Sequence, residues 1–224
     1  YTDHGGPLPR EKRLLYDSGI KVPMIIRYPN QLRAGEIDDR LISFVDFAPT
    51  VLHLAGIDVP PHMDGSPFLG QQIDLGEVNQ RDQAFGYADR FDEKIDHVRS
   101  LRKGNFKYIR NYQPFNVDGL WNEYRYIMLA YQEWWELFQS GELNEIQGQF
   151  FRPRLPEQLF DLEHDPHELQ NLVGDSAYTE ILNDMRSSLS NKVKDINDLS
   201  MFPESMLLEE AFEDPVSFGR NNAD

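Results

Sequence analysis

Apolar positions along the chain change their period several times, and each change predicts a different element. Residues 22–28 (VPMIIRY) form an almost unbroken run of apolar and β-forming side chains closed by Pro29. Such a run predicts a strand covered on both faces, as in a parallel sheet. Phe47, Ala48, Val51, Leu52 and Ala55 then recur at the three-and-four spacing of one helical face, with Gly56 as the stop. Pro49 belongs in the first turn of that helix, where its missing N–H costs nothing, so Asp46 is the expected N-cap. Strand, loop and helix in this order are the closing part of an α/β layer.

From Pro60 to about Gln83 the sequence turns to Pro, Gly, Asp and Gln, the composition of a connection. Short β-rich segments follow around Ala84–Ala88, His97–Leu101 and Phe106–Arg110, with Lys103-Gly104-Asn105 as a hairpin turn. With Glu157–Leu162 they predict an antiparallel sheet. The intervening helix carries Trp121, Tyr124, Met128, Tyr131, Trp135 and Phe138 on one stripe. Core packing is the first reading of that stripe, and a stacking platform for a cofactor is the alternative. Ile181, Met185, Leu189 and Val193 form a fourth-residue ladder on a last helix. The expected organisation is an α/β portion over 1–75, a small α+β subdomain over 76–200, and an acidic tail or linker over 201–224.

Composition narrows the function. The chain has 224 residues, a formal charge of −16 and no cysteine. An anionic surface of this kind excludes a broad footprint for nucleic acid or anionic lipid, so an anionic substrate must find a local basic pocket. Disulfides, thiolate metal sites and a cysteine nucleophile are absent from these residues. No apolar stretch approaches the ~20 residues of a bilayer span. The chain opens at Tyr1 without an initiator methionine, and it reads as a piece of a longer protein.

The chemistry concentrates at the opening, YTDHGGPLPREKRLLYDSG. In an open α/β sheet ligands lie outside the carboxyl ends of strands, where Asp3 and His4 would stand. Asp3 offers hard oxygen ligands suited to calcium or magnesium, and His4 a nitrogen ligand or a hydrogen bond to an oxyanion. Gly5 and Gly6 allow a sharp turn and a close approach to a ligand. Alternatively, the four residues are only a turn, with Asp3 bonding its own backbone.

The residues that follow decide between these. Asp3-His4-Gly5, Lys12, Tyr16–Gly19 and Val22–Pro29 (VPMIIRYP) resemble the sulfatase family of the alkaline phosphatase superfamily. So do Val45–Gly56 (VDFAPTVLHLAG), Val98–Tyr112 (VRSLRKGNFKYIRNY) and Glu157–Leu172 (EQLFDLEHDPHELQNL). The likeness is nearest to the N-sulfoglucosamine sulfohydrolase branch. It implies an α/β fold: the C-terminal part of an alkaline-phosphatase-like α/β sandwich followed by a small α+β subdomain with an antiparallel sheet. It also implies that Asp3 and His4 hold part of a divalent-metal shell, with Ca2+ the expected ion. Imidazole at position 4 leaves the metal's identity open. Lys12 corresponds to the family's sulfate-contacting cation, and a fixed ammonium at ~4 Å contributes on the order of 4 kcal/mol at an effective dielectric near ~20.

The family's formylglycine nucleophile arises from a Cys/Ser-x-Pro-x-Arg string that these residues lack, so it is expected in a missing N-terminal part, and this piece is not expected to turn over substrate alone. Arg90, Asp92 and His97, in the charge-rich stretch DRFDEKIDHVRSLR, are the candidate substrate-binding residues, since Arg pairs with sulfate and Asp accepts from sugar hydroxyls. The expected partner is a sulfated carbohydrate or another sulfate ester, and the resemblance implies a periplasmic or secreted address. The rival readings are a phosphodiesterase or phosphonate hydrolase of the same superfamily, and a non-catalytic glycan-binding relative. Asp161–Leu172 is not an EF-hand, because Pro166 and Leu172 replace the glycine and glutamate it needs. There Asp165 is the expected N-cap of a helix starting at Pro166. His53, His62, His164 and His167 show no metal spacing.

Overall fold

The computed structural model describes residues 1–31, 33–70, 73, 75–90 and 93–222. It divides into two compact units, one of Tyr1–Pro23, Gly86–Leu101 and Asn105–Asp224, the other of Met24–Phe85 and Arg102–Gly104. Four strands form a single sheet in chain order: β1 (Gln83–Ala88), β2 (Val98–Lys103), β3 (Phe106–Asn111) and β4 (Glu157–Asp161). A two-residue turn joins β2 to β3, and Gly104 supplies the positive φ of +56° that such a hairpin requires. β4 returns antiparallel to β3, with Phe106 opposite Asp161, Tyr108 opposite Leu159 and Arg110 opposite Glu157. The protein is thus α/β with an antiparallel sheet, as its alternating segments foretell.

The core of the first unit gathers Leu14, Leu15 and Tyr16 against Val98, Ile109 and Phe160, closed by Tyr126, Tyr131, Phe150 and Phe151. Trp134 stacks on Phe150 at 4.3 Å between ring centres, and Phe138 packs on Phe151 at 4.8 Å. Part of the aromatic stripe is therefore core. The single helix expected there is broken into Glu123–Tyr126 and Leu129–Ser140, because Met128 is extended (ψ 131°). The break ends the common face, and Trp121 and Tyr124 remain 64% and 47% exposed. The Thr179–Asp195 helix buries Leu182, Met185 and Leu189, close to the expected ladder. Within 201–224, the Pro215–Asn222 helix packs Phe218 edge-on against Phe202 at 5.1 Å.

The second unit centres on Phe68, Leu69 and Val78, joined by Met24, Tyr28, Ile42 and Phe47. Residues 22–28 are not a strand, which corrects the expectation. Met24 and Tyr28 pack inward, but Ile25 is 92% exposed, and among the described residues no neighbouring strand shares its backbone hydrogen bonds. The Phe47–Leu54 helix forms and ends at Gly56 (φ +73°), with Ile57 N–H donating to the Leu52 carbonyl at 2.9 Å. Asp46 stands at its N-cap position, as expected, but makes no side-chain capping bond there. It is the third residue of a capping box opened by Ser43, and its carboxylate accepts from Ser43 N at 3.0 Å and Ser66 N at 2.9 Å. The helix consequently turns Pro49 and Thr50 inward and leaves Val51 65% exposed.

After β4 the expected helix at Pro166 is also absent. Asp165 accepts from Leu169 N and Gln170 N, each at 2.7 Å, but Glu168 takes φ +54° and the segment closes as a loop. Among the described residues no helix is long and apolar enough to cross a membrane.

Ion pairs make this fold acid-sensitive. The Arg186 guanidinium holds Glu157 at about 2, down from its ordinary 4.5. Burial acts upward on Asp198, yet hydrogen bonds from Arg99 and Ser200 bring it from 3.8 to about 2. Both contribute stability that is complete above the unfolded values and lost as pH falls through the folded ones. Circular dichroism is therefore expected to show stability declining from about pH 4.5 toward 2, with a flatter decline in Glu157→Gln.

Candidate functional site

The opening residues fold into a turn pinned by its own backbone. Gly5 N–H donates to the Gly19 carbonyl at 2.8 Å, Lys12 N–H to the Gly6 carbonyl at 3.1 Å, and the Ser18 hydroxyl to the Arg10 carbonyl at 2.8 Å. A Cβ on Gly5 would lie 1.9 Å from the Ser18 carbonyl oxygen. The close approach that demands glycine there is thus made by this chain itself. Arg10 and Arg13 both take left-handed backbone (φ 66° and 74°). Arg10 donates to the carbonyls of His167 and Glu168 at 2.5 Å each and lies 3.9 Å over the Tyr16 ring. It is a strut between the turn and the loop after β4.

Asp3 and His4 stand side by side, with Asp3 Oδ2 and His4 Nε2 3.6 Å apart and both side chains open to solvent. Two ligands bound at right angles to one calcium-sized ion, at 2.3–2.6 Å from it, lie at about this separation. His4 Nδ1 meets the Gly5 carbonyl oxygen at 2.6 Å. A carbonyl can only accept, so Nδ1 carries the proton and the Nε2 lone pair is left for a ligand. The Asp3 carboxylate suits a hard cation and the His4 nitrogen a softer one, so the pair offers two donors without fixing which metal they fit.

Lys12 lies with Nζ 4.9 Å over the Tyr124 ring, and Arg13 approaches the same ring at 5.3 Å. These residues, with Pro7, Arg125 and Tyr131, line a small, partly open recess. Arg13 also lines a second small recess with Tyr16, Asp96, Asp118 and Arg154. In it the Tyr16 hydroxyl donates to Asp118 at 2.9 Å, and burial pushes the Asp118 carboxyl up.

The remaining candidates lie near the C-terminal segment. Arg90 donates to the Phe202 carbonyl at 3.3 Å and pairs with Glu204 at 3.6 Å. His97 stacks on Tyr112 at 4.3 Å, its Nε2 meets the Ser200 hydroxyl at 2.8 Å, and burial, then Arg99, pushes its pKa down. Asp92 lies outside the described residues. The structure therefore brings Asp3 and His4 together and ties Lys12 to the same turn, while Arg90 and His97 share a different neighbourhood. Asp161, Glu163 and His164 also bring donor atoms within 4.8 Å of one another. Some of their ligand atoms bond internally, in the His164–Asp161 contact at 2.9 Å and in Asn105 donating to Glu163 at 2.8 Å.

Periodicity places Tyr124 on the aromatic stripe but gives it no site role, and it passes over Arg125, which is buried beside that stripe.

An acid–imidazole turn and a cation anchored on the same turn thus accompany an antiparallel sheet in an α/β protein. The chain belongs to the N-sulphoglucosamine sulphohydrolase C-terminal family, whose model matches residues 10–125. It is 46% identical over 209 residues to an ulvan-active sulfatase of Formosa agariphila, covering 93% of this chain and 34% of that protein. It is 24% identical over 212 residues to human N-sulphoglucosamine sulphohydrolase, covering 84% of this chain and 39% of that one. A protein solved with its substrate D-glucosamine-2-N,6-O-disulfate shares the fold at a TM-score of 0.56 and 20% identity, over 85% of this chain and 32% of that one. The chain spans about a third of the length of the curated relatives it matches.

Proposed function

We propose that this chain is the C-terminal portion of an enzyme that hydrolyses sulfate esters or sulfamates of a sulfated glycan. The observation that carries the reading is the turn over residues 3–12: a carboxylate and an imidazole nitrogen 3.6 Å apart, with the Lys12 amide bonded to Gly6 of the same turn. The relative at 46% identity, named an ulvan-active sulfatase, supports a carbohydrate substrate.

Asp3 and His4 would hold a divalent cation, calcium by the hardness of the carboxylate, and a dication bound there would offset the negative charge of the sulfate. Lys12 presents its ammonium to the sulfuryl oxygens, where charge builds as the S–O or S–N bond breaks, and Tyr124 confines that ammonium by its ring face. Arg10 holds the turn against the loop after β4, so that Lys12 is fixed before substrate arrives. The nucleophile of this reading is a formylglycine supplied from outside the chain, and the address that suits it is periplasmic or extracellular.

The test is sulfate release by the full-length protein from sulfated polysaccharide and aryl sulfate, with aryl phosphate as the control. Lys12→Ala is expected to lower kcat by about 10²–10³ with a smaller change in KM, and Asp3→Asn to lower metal affinity and activity together. A faster reaction on phosphate esters, or activity indifferent to Lys12, sinks the reading.

A further inference from the structure

We infer that Arg125 is a second cationic donor in the Lys12 pocket and binds an oxyanion group of the substrate; naming that group as part of a sulfated sugar rests on the function proposed above. Arg125 is 3% exposed. Its Nη1 donates to the Asp118 carbonyl at 2.8 Å, and its guanidinium packs near the rings of Tyr131 and Phe150, at 5.4 and 6.0 Å. Its Nη2 is buried and has no hydrogen-bond partner among the described residues.

A buried N–H left unpaired is costly, and more so on a charged group. The usual remedy is a neighbouring carboxylate, and this chain has 38 acidic residues against 22 basic ones. Yet among the described residues no carboxylate lines the pocket, while Lys12, Arg13 and Arg125 all do. Bringing Lys12 and Arg125 to one recess raises their mutual repulsion unless an anion joins them. Tyr124, 47% exposed, takes the ring contacts of Lys12 and Arg13 and borders this cationic pocket. A guanidinium edge with a vacant donor, lining the same recess as an ammonium, is suited to the oxygens of sulfate or carboxylate, which accept from two directions at once.

Inorganic sulfate titrated calorimetrically into the full-length protein tests this. Arg125→Gln is expected to weaken binding about tenfold, the loss of one charge-assisted hydrogen bond. Combined with Lys12→Met the two losses are expected to be less than additive, because both residues would grip one anion. Arg125 also supports Asp118, so Arg125→Lys serves if the glutamine variant does not fold. It keeps the charge, loses the planar fork, and is expected to weaken sulfate about threefold. Sulfate affinity within about twofold of the parent in a folded Arg125 variant, below the smallest effect a lost charged hydrogen bond produces, overturns the inference.

Kinetics identify which oxyanion is bound. If Arg125 meets the reacting sulfate, kcat/KM on a simple aryl sulfate falls. If it meets a neighbouring charged substituent, that value holds and KM rises only for sugars carrying a second anionic group. Failure of this inference is separable from failure of the proposed function. A protein without sulfatase activity that still loses sulfate through Arg125→Gln keeps the pocket and loses the reaction. An active enzyme whose sulfate affinity ignores Arg125 keeps the reaction and loses the pocket.

Discussion

Replacing Arg99 with methionine is expected to destabilise the protein by about 3–5 kcal/mol, the range for removing one partner from a buried ion pair. Arg99 is 2% exposed on β2, and all five of its donors are used. Nη1 and Nη2 grip Asp89 at 2.6 and 3.0 Å, Nε and Nη2 grip Asp198 at 2.5 and 2.9 Å, and Nη1 also reaches the Val98 carbonyl at 2.8 Å. The guanidinium thus joins Asp89, at the end of β1, to Asp198, which lies 99 residues beyond Arg99 itself. Methionine fills much of the volume but strands two carboxylates that face each other across the vacated site. Lysine at this position is expected to rescue little, since one ammonium cannot reproduce two bidentate forks. Urea unfolding measures the loss, and the triple variant with Asp89→Asn and Asp198→Asn is expected to recover most of it, because the stranded charges are then gone. A loss below about 1 kcal/mol would place Arg99 among ordinary surface pairs.

That clamp shows what the sequence conceals. β1 to β4, the turn at Gly104, the stop at Gly56 and the helix around Met185 were legible, because each depends on residues adjacent in the chain. Arg99 and Lys107 stand in strands at 2% and 1% exposure, where composition rules place such residues at the surface. Their partners lie tens of residues away, and no period of two or 3.6 encodes them. Local rules failed where a longer-range bond took precedence. Asp46 serves Ser43 and Ser66 in place of capping the next helix, and Asp165 closes a loop in place of starting one. The charge-rich stretch after β1 was legible as polar chemistry, but Asp89, Asp96 and Arg99 spend that polarity on internal pairs. At the candidate site, residue identities at 3, 4 and 12 were readable as a motif. The Tyr124 ring beneath Lys12 was not, because it arrives through a helix break at Met128 that apolar spacing does not announce.

Lys107→Met is expected to cost about 3–5 kcal/mol as well, with a pH dependence set by Glu168. The Lys107 ammonium, 1% exposed, sits 2.9 Å from Asp17 and 3.2 Å from Glu168. Burial pushes the Glu168 carboxyl up, and Lys107 is the chief force against it. Without that ammonium, Glu168 folds only by keeping a proton that the unfolded chain releases near its ordinary value of 4.5. The folded state then binds more protons than the unfolded one, so the variant's deficit grows as pH rises above about that value. Denaturant melts at pH 5 and pH 7 are expected to show the larger loss at pH 7, and adding Glu168→Gln should restore most of it at both. Equal losses at the two pH values would mean that Glu168 stays ionised without its partner. The consequence reaches the candidate site, because Glu168 accepts from Asp17 N at 2.6 Å and its carbonyl holds Arg10. Loosening this knot frees the turn that carries Lys12, so kcat on sulfate ester is expected to fall in Lys107→Met even where the protein remains folded, and to return with Glu168→Gln only if the turn regains its seat.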